Sequence, residues 1–406
     1  MHFMRRLLLV GLLLFLAACS NSGTPSPSPA DQQATTSASL WGAPITVAQT
    51  QQSDAPALVS NNAGLIMAWI GSDDRGVHQD ARSYIAGQLN DSVTLPLPPT
   101  HPYDQHLYPG DNGNTQLLWL DAGQHDQNYL YSALLSSDLT VQRGPVSVSD
   151  GLALRYSAVS DGSGGLWVAW SGGQLSELTL YERHIDDQGR PLLESSTLAS
   201  NADYPALVRT NGGALWAFWL SNGQLMRQEL DPAGQAQSLT SAVSLATGDH
   251  LIDVKAALDA TSAYFFWNIT RADGTNETWL TAGSLSANVW RQPEKLQVKV
   301  DSSTLIDTGF KIGSITSAAS GGSMALRWAE PHTDQYQSLA AAVESDAGLG
   351  VVTFNGGDVN GYTPAQSNVH LIGHPALAVA ADGNFALAWS SPGSPNASLQ
   401  LILTQK

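Results

Sequence analysis

The chain of 406 residues carries 35 acidic and 18 basic side chains, and its formal net charge is −17. An acidic surface repels phosphate backbones and anionic lipid headgroups, which excludes nucleic acid as a partner and a basic patch as the means of membrane attachment. Charged residues make up only 13% of the chain, whereas glycine reaches 37 residues and tryptophan 12. This composition favours short strands joined by tight turns over helices.

The first 18 residues have the form of an export signal. Two arginines precede an apolar run at 7–16, and a run of about ten residues is too short to span a bilayer as a mature helix. Two alanines then precede Cys19, the only cysteine of the chain. This stretch resembles the lipobox of bacterial lipoproteins. The resemblance implies cleavage before Cys19, acylation of its thiol and acylation of the new amino terminus.

The lipobox resemblance also implies an address and a partner. The protein is expected in the cell envelope, on the extracytoplasmic side of a bacterial membrane, with the lipid membrane bound through acylated Cys19, because two or three acyl chains anchor stably. Residues 19–43 are mostly Ser, Thr, Pro, Ala and Gln, which predicts a disordered tether. The predicted organisation is therefore a signal peptide at 1–18, a lipidated tether at 19–43 and a folded domain at 44–406.

One unit recurs along the folded part of the chain. It consists of a short apolar strand, a Gly/Asn/Asp turn, a wholly apolar strand ending in tryptophan, and a more polar strand. Neighbouring tryptophans are 48 to 51 residues apart and then twice 61 apart, which indicates insertions near 291–312 and 340–373. The tryptophans that end the units are Trp69, Trp119, Trp170, Trp219, Trp267, Trp328 and Trp389. Such a period predicts an all-β fold, a seven-bladed β-propeller of four-stranded antiparallel blades.

The tryptophan strands are apolar at both parities, as at 166–170 and 215–219. A strand with one face in water would alternate, so these strands are predicted to be covered on both faces by neighbouring blades. The expected third strands lie at 129–135, 178–184 and 225–230, and the expected outer strands at 145–148, 242–246 and 295–300.

The last repeat offers three strands, whereas an extra strand at 44–48 precedes the first repeat. We predict that this strand pairs as the fourth strand of blade seven, which closes the ring and removes an open sheet edge.

The resemblance to known propeller families is general. The repeat signature of WD40 propellers contains a tryptophan followed by aspartate. None of the seven tryptophans of this chain is followed by aspartate. The segment 161–167, which reads Asp-Gly-Ser-Gly-Gly-Leu-Trp, resembles the Asp-box of sialidase-like propellers without keeping its full pattern. A likeness to WD40 and sialidase-like propellers is therefore expected at the level of the fold only.

Polar residues at the start of the innermost strands are the candidates for a site, because the loops that enter these strands converge at one mouth of the channel. The repeat register places Asp104, Asp203 and Asp253 with Asp54, and Arg155 in the third blade. The full set of candidate ligand-binding or catalytic residues is Asp54, Asp104, His106, Arg155, Tyr156, Asp203, Tyr204, Asp253, Lys255 and His374.

Two interpretations of the aspartates stay open. A ring of carboxylates can hydrolyse glycosides by acid and base catalysis, or it can hold a hard cation such as Ca²⁺. An aspartate at a strand start can also cap the adjoining turn through its own side chain. The recurrence at the blade period favours capping, because catalysis requires an asymmetric set. No metal or cofactor is predicted. If the four carboxylates did bind a metal ion, Ca²⁺ would suit them best.

The sequence favours a binding or scaffolding module for a protein or a glycan, carried on a membrane-anchored lipoprotein. It contains no serine-hydrolase elbow, no zinc-protease motif and no phosphate-binding loop. One alternative is a carbohydrate-active enzyme, a hydrolase or a lyase, with Asp104 and either Asp203 or Asp253 as acid and base. The other is a subunit of an envelope assembly that contacts its partner through the two insertions.

Overall fold

The described part of the chain is built almost entirely of strands. The computed structural model describes residues 40–405 apart from 51–53, 75, 98–100, 124–127, 175–176, 211–212, 232–235, 245–249, 259–261, 286, 288, 300–304, 308–310, 320–336, 346–347, 356–357, 380–383 and 395. Within these ranges the one helical element is a 3-10 turn at Asp111–Gly113. No helix among the described residues has the length and apolar character needed to cross a membrane.

Seven antiparallel sheets of four or five strands confirm the predicted seven-bladed propeller. The first strand of the chain is β1 (Ile45–Thr50). The strands of blades one to three are β2 (Ala57–Asn61), β3 (Gly64–Asp73), β4 (Gly76–Ile85), β5 (Gln88–Leu89), β6 (Val93–Thr94), β7 (Pro102–Pro109), β8 (Thr115–Ala122), β9 (Asn128–Leu135), β10 (Val141–Ser147), β11 (Arg155–Ser160), β12 (Leu166–Gln174), β13 (Glu177–Ile185) and β14 (Ser196–Ser200).

The later blades continue the same order along the chain. The remaining strands are β15 (Asp203–Arg209), β16 (Leu215–Ser221), β17 (Gln224–Leu230), β18 (Ala236–Ser244), β19 (His250–Leu258), β20 (Ala263–Thr270), β21 (Asn276–Ser284), β22 (Val289–Trp290), β23 (Glu294–Lys295), β24 (Gln297–Lys299), β25 (Leu305–Asp307), β26 (Lys311–Ala319), β27 (Gln337–Ser345), β28 (Gly348–Asn355), β29 (Asp358–Gln366), β30 (Ile372–Val379), β31 (Phe385–Ser391) and β32 (Ala397–Leu403). Blade one is β2–β6, blade two β7–β10, blade three β11–β14, blade four β15–β18, blade five β19–β23, blade six β26–β29, and blade seven β30–β32 with β1.

The tryptophans that count the blades are core residues, as predicted. Trp69, Trp119, Trp170, Trp219, Trp267 and Trp389 are each at most 2% exposed. Three of the rings stack on an aromatic ring of the next strand outward, at Tyr131, Tyr181 and Trp279. A large aromatic side chain contributes more apolar area than any other core residue. Each blade is therefore fixed to its neighbours chiefly through its second strand.

The ring is closed by the first strand of the chain. β1 pairs antiparallel with β32, so blade seven contains strands from both ends of the folded domain. The buried hydrophobic residues form seven clusters, each shared between two neighbouring blades, and one of them joins blade seven to blade one through Val47, Met67 and Leu399. Trp41 is 3% exposed and packs between blades six and seven. The predicted closure is confirmed.

Blade six differs from the prediction. Strands β27, β28 and β29 occupy most of 340–373, so the prediction that this segment is an insertion is wrong. The second strand of the blade, with the sequence Gln-Ser-Leu-Ala-Ala-Ala-Val-Glu-Ser, contains no tryptophan. Trp328, on which the prediction was aligned, lies outside the described residues. Near 291–312, the hairpin of β24 and β25 does add residues between blades five and six.

The expected outer strand at 295–300 is divided in the structure. Lys295 belongs to β23, which pairs with β21 in blade five. The residues that follow form β24, which pairs with β25 outside the blades. The other expected third and outer strands correspond to β9, β10, β13, β17 and β18.

Candidate functional site

A cavity of about 610 Å³ lies where the innermost strands begin, and its walls are the inner strands of six blades, β2, β7, β11, β15, β19 and β30. This volume is within the range of small-molecule binding sites. The polar residues of its lining include Gln105, Tyr108 and Ser157. Seven of the candidate residues also line it, namely Asp104, His106, Arg155, Tyr156, Tyr204, Lys255 and His374. Asp54 and Asp203 are outside the lining, and the side chain of Asp253 lies outside the described residues.

Strand pairing places side chains of several blades at one level of the channel. In blade two, His106 faces Leu118, the residue before Trp119, and Asp104 lies two residues earlier. The same spacing from the residue before the blade tryptophan holds for Arg155, Tyr204, Asp253 and His374. We call Asp104, Arg155, Tyr204, Asp253 and His374 the mouth ring. Asp54 and Asp203 lie one residue before this level.

The mouth ring is asymmetric, unlike the tryptophan positions. Its described side chains are a carboxylate, a guanidinium, a phenol and an imidazole. Two of its members, Asp104 and Tyr204, have φ angles of 49° and 55°, at bulges of β7 and β15. The left-handed conformation costs a residue with a Cβ roughly 1–2 kcal/mol. Strain of this kind persists at binding sites when the surrounding structure enforces it.

Asp54 and Asp203 cap the chain where their strands begin. The Oδ1 atom of Asp54 accepts a hydrogen bond of 2.7 Å from the N–H of Ala55. The Oδ1 atom of Asp203 accepts the equivalent bond of 2.7 Å from Tyr204. These contacts favour the capping interpretation for this pair. Asp203 has a second role, because its Oδ2 atom lies 2.7 Å from Nη1 of Arg155.

Arg155 and the tyrosines tie blades two to five together at the mouth. The guanidinium of Arg155 lies 4.1 Å from the centroid of the Tyr204 ring. The Tyr204 hydroxyl donates to the carbonyl of Leu251 at 3.0 Å. The Tyr156 hydroxyl donates to the carbonyl of Asp104 at 2.6 Å. Burial and then the charge of Asp104 raise the pKa of Tyr156 well above its usual value, so it remains a neutral donor.

Among the described side chains, Asp104 supplies the carboxylate that lines the cavity. Its Oδ1 atom lies 3.2 Å from Nε2 of His106, and the two side chains are 47% and 42% exposed. Burial among the surrounding strands acts to raise the pKa of Asp104. The hydrogen bond and charge of His106, with the charges of Lys255 and His374, outweigh that effect and lower the pKa. Asp104 is therefore ionised at neutral pH and acts as a hydrogen-bond acceptor.

The described residues contain no group of three or more His, Cys, Asp or Glu side chains arranged for a metal ion. The sequence predicts Asp104, with either Asp203 or Asp253, as the acid and base of a carbohydrate-active enzyme. The carboxylate of Asp203 accepts hydrogen bonds from the N–H of Tyr204 and from Arg155, which favours a positioning role for it. Catalysis by Asp104 and Asp253 stays a prediction.

Ile252 and Tyr103 are among the residues of this region that were not in the predicted set. Ile252 is 45% exposed and lines the cavity beside Asp253. Tyr103 precedes Asp104, and burial, followed by the charges of Asp104 and Asp121, raises its pKa to about 12. Ile252 follows Leu251 in a mostly apolar strand, so the sequence does not show that its side chain is exposed.

No protein-family model and no curated protein matches this chain. Among solved structures, it is similar to the NanB sialidase from Streptococcus pneumoniae, with 10% identity and a TM-score of 0.44 over 89% of this chain and 69% of that one. It is also similar to the soluble aldose sugar dehydrogenase from Escherichia coli, with 13% identity and a TM-score of 0.44 over 89% and 99%. A protein of unknown function from Dyadobacter fermentans has 9% identity and a TM-score of 0.47 over 89% and 98%. These distant resemblances concern the fold, and no activity or residue role is transferred from them.

Proposed function

We propose that this protein is a lipoprotein of the bacterial cell envelope whose propeller binds a small polar ligand at the channel mouth. The observation that carries the proposal is the cavity of about 610 Å³ with the unlike side chains of the mouth ring around it. Propeller blades that served packing alone would have no need for different polar residues at one level. The ring supplies an ionised acceptor in Asp104 and donors in Arg155 and His374. These groups can orient a ligand without any covalent step.

Strain gives independent support for this site. Asp104 and Tyr204 keep left-handed backbone conformations although each has a side chain. Glycine would adopt the same φ without this cost. Positive φ is also found outside the site, for example at Ala86 and Leu139, but Asp104 and Tyr204 combine it with side chains that line the cavity. In the case of Asp104, the function is to present a carboxylate to the cavity.

The substitution Asp104→Gly separates binding from folding. It removes the carboxylate and relieves the backbone, so stability is expected to stay within about 1 kcal/mol of the wild type. The loss of a charge-assisted hydrogen bond is expected to weaken ligand binding by about 10-fold or more. The measurement is a thermal-shift screen of the full chain against sugars, amino acids and organic acids, followed by calorimetric titration of each hit.

The matched control is Asn112→Gly. Asn112 also has a positive φ, 55°, and lies at the other end of blade two. This variant is expected to bind as the wild type does. Ligands that bind Asp104→Gly and the wild type equally would place the site elsewhere. A screen in which no compound stabilises the protein would contradict the proposed function.

Acylated Cys19 is proposed to hold the propeller at the membrane. Expression of Cys19→Ser in a bacterial host is expected to move the protein from the membrane fraction to the soluble extracytoplasmic fraction, because no other cysteine can carry the lipid. Labelling with a palmitate analogue reports the lipid directly, and Ser20→Ala is the control that keeps it. A Cys19→Ser protein that stays with washed membranes, or a wild type without label, would refute the anchor.

A further inference from the structure

The described lining of the cavity carries basic side chains, although the chain as a whole is acidic. The chain has 35 acidic side chains against 18 basic ones. Among the described residues that line the cavity, the charged side chains are Arg155, Lys255 and Asp104, accompanied by His106 and His374. An acidic protein surface repels anions. Basic side chains that line the channel of such a protein therefore favour a ligand with an anionic group.

Arg155 is held in an orientation that suits a carboxylate. Asp203 binds its Nη1 atom at 2.7 Å, and the Tyr204 ring lies 4.1 Å below the guanidinium. The side chain nevertheless remains 41% exposed. A guanidinium has five N–H donors in a fixed plane and binds carboxylates through two parallel hydrogen bonds. The donors that the ion pair with Asp203 does not use can serve a ligand.

Lys255 and His374 bring positive charge to the same cavity from other blades. Lys255 lies on β19 of blade five, and His374 lies on β30 of blade seven. Both act electrostatically on Asp104 of blade two. Both also make interactions within the protein, so their positions are constrained. Lys255, His374 and the ionised carboxylate of Asp104 therefore line the same cavity.

We infer that the ligand of this channel is a sugar acid, whose carboxylate pairs with Arg155 and Lys255 and whose hydroxyl groups donate to Asp104. This inference rests on the proposed function and adds the ligand class to it. An ionised carboxylate only accepts hydrogen bonds, so Asp104 selects for donors such as hydroxyl groups. The basic side chains select for the anionic group. A sugar acid presents both on one ring, at a size that the cavity accommodates.

The test compares matched ligand pairs on the full chain in detergent. Galacturonate is paired with galactose and glucuronate with glucose, each as monosaccharide and as short oligosaccharide, by calorimetric titration at low and high salt. The acidic member is expected to bind about 10-fold more tightly or better, and high salt is expected to reduce that preference. Arg155→Gln and Lys255→Gln are each expected to reduce it.

The control variant is Arg190→Gln, which removes a positive charge from an ion pair with Asp186 on the surface, where Arg190 is 57% exposed. The acidic preference should survive in this variant. If Arg155→Gln does not fold, Lys255→Gln and the salt dependence of the wild type decide the question. Equal binding of acidic and neutral partners, lost in Asp104→Gly, would overturn the sugar-acid inference and leave the proposed function standing. Binding of neither class at the channel would overturn both.

Discussion

Removal of residues 40–50 is expected to lower the melting temperature of the propeller by about 10 °C or more. The deletion takes away β1, whose pairing with β32 completes blade seven. It also removes Trp41 and Val47, which are 3% and 2% exposed and pack in two different interblade clusters. Loss of a buried aromatic side chain alone costs roughly 3–5 kcal/mol. The exposed edge of β32 adds unpaired backbone groups and a surface for aggregation.

The comparison needs two purified proteins, one that begins at residue 40 and one that begins at residue 51. A third, which begins at residue 20, is the control and is expected to melt with the first. Addition of a synthetic peptide of residues 40–50 to the shortest protein is expected to restore part of the lost stability, because the peptide can pair with β32. Equal melting of the three proteins would mean that β1 contributes nothing to closure.

The blades can be predicted from the sequence because each tryptophan lies on a strand that packs against neighbouring blades on both faces. A second strand that packs against blades on both sides must be apolar at both parities, and its largest residue recurs at the same depth. Blade six shows the limit of this reasoning. Its second strand, β27, contains no tryptophan and has alanine at its buried positions 340 and 342. An alignment on Trp328 therefore misplaces the strands that follow and interprets them as an insertion.

The candidate site can be predicted only as a neighbourhood. Seven of the predicted residues line the cavity, because all inner strands start at the same end of a propeller. Their level in the channel depends on bulges in β7 and β15. A bulge adds one residue without changing composition, so a repeat alignment cannot distinguish Asp104 from the level of Asp203. The ion pair of Arg155 with Asp203 joins two blades and has no local signature.

The stability of the propeller is expected to fall as the pH rises from 4.5 to 7 because of Glu182. This residue lies on β13 and is 5% exposed. Burial, with a further contribution from the charge of Asp231, raises its pKa from 4.5 to about 7, although a hydrogen bond from Ser196 opposes the shift. Below pH 4.5, Glu182 is protonated in the folded and unfolded chains alike and costs nothing. Between the two values the unfolded chain loses its proton while the folded protein retains it, so unfolding becomes easier as the pH increases.

Glu182→Gln isolates this contribution because glutamine resembles the protonated side chain and cannot ionise. Relative to the wild type, the variant is expected to gain about 3 kcal/mol in its free energy of unfolding between pH 4.5 and pH 8. Denaturant titrations of both proteins across this range measure the gain.

Ser196→Ala removes a hydrogen bond of 2.9 Å to the carboxylate and should extend the fall in stability to higher pH. Glu177→Gln, at an exposed position on the same strand, tests for the general effect of removing one negative charge and should change stability by less than about 0.5 kcal/mol. A constant difference between Glu182→Gln and the wild type at every pH would show that Glu182 has the same pKa in the folded and the unfolded chain. Its burial would then have to be offset by a partner or by water at Oε2, an atom for which the described residues provide no hydrogen bond.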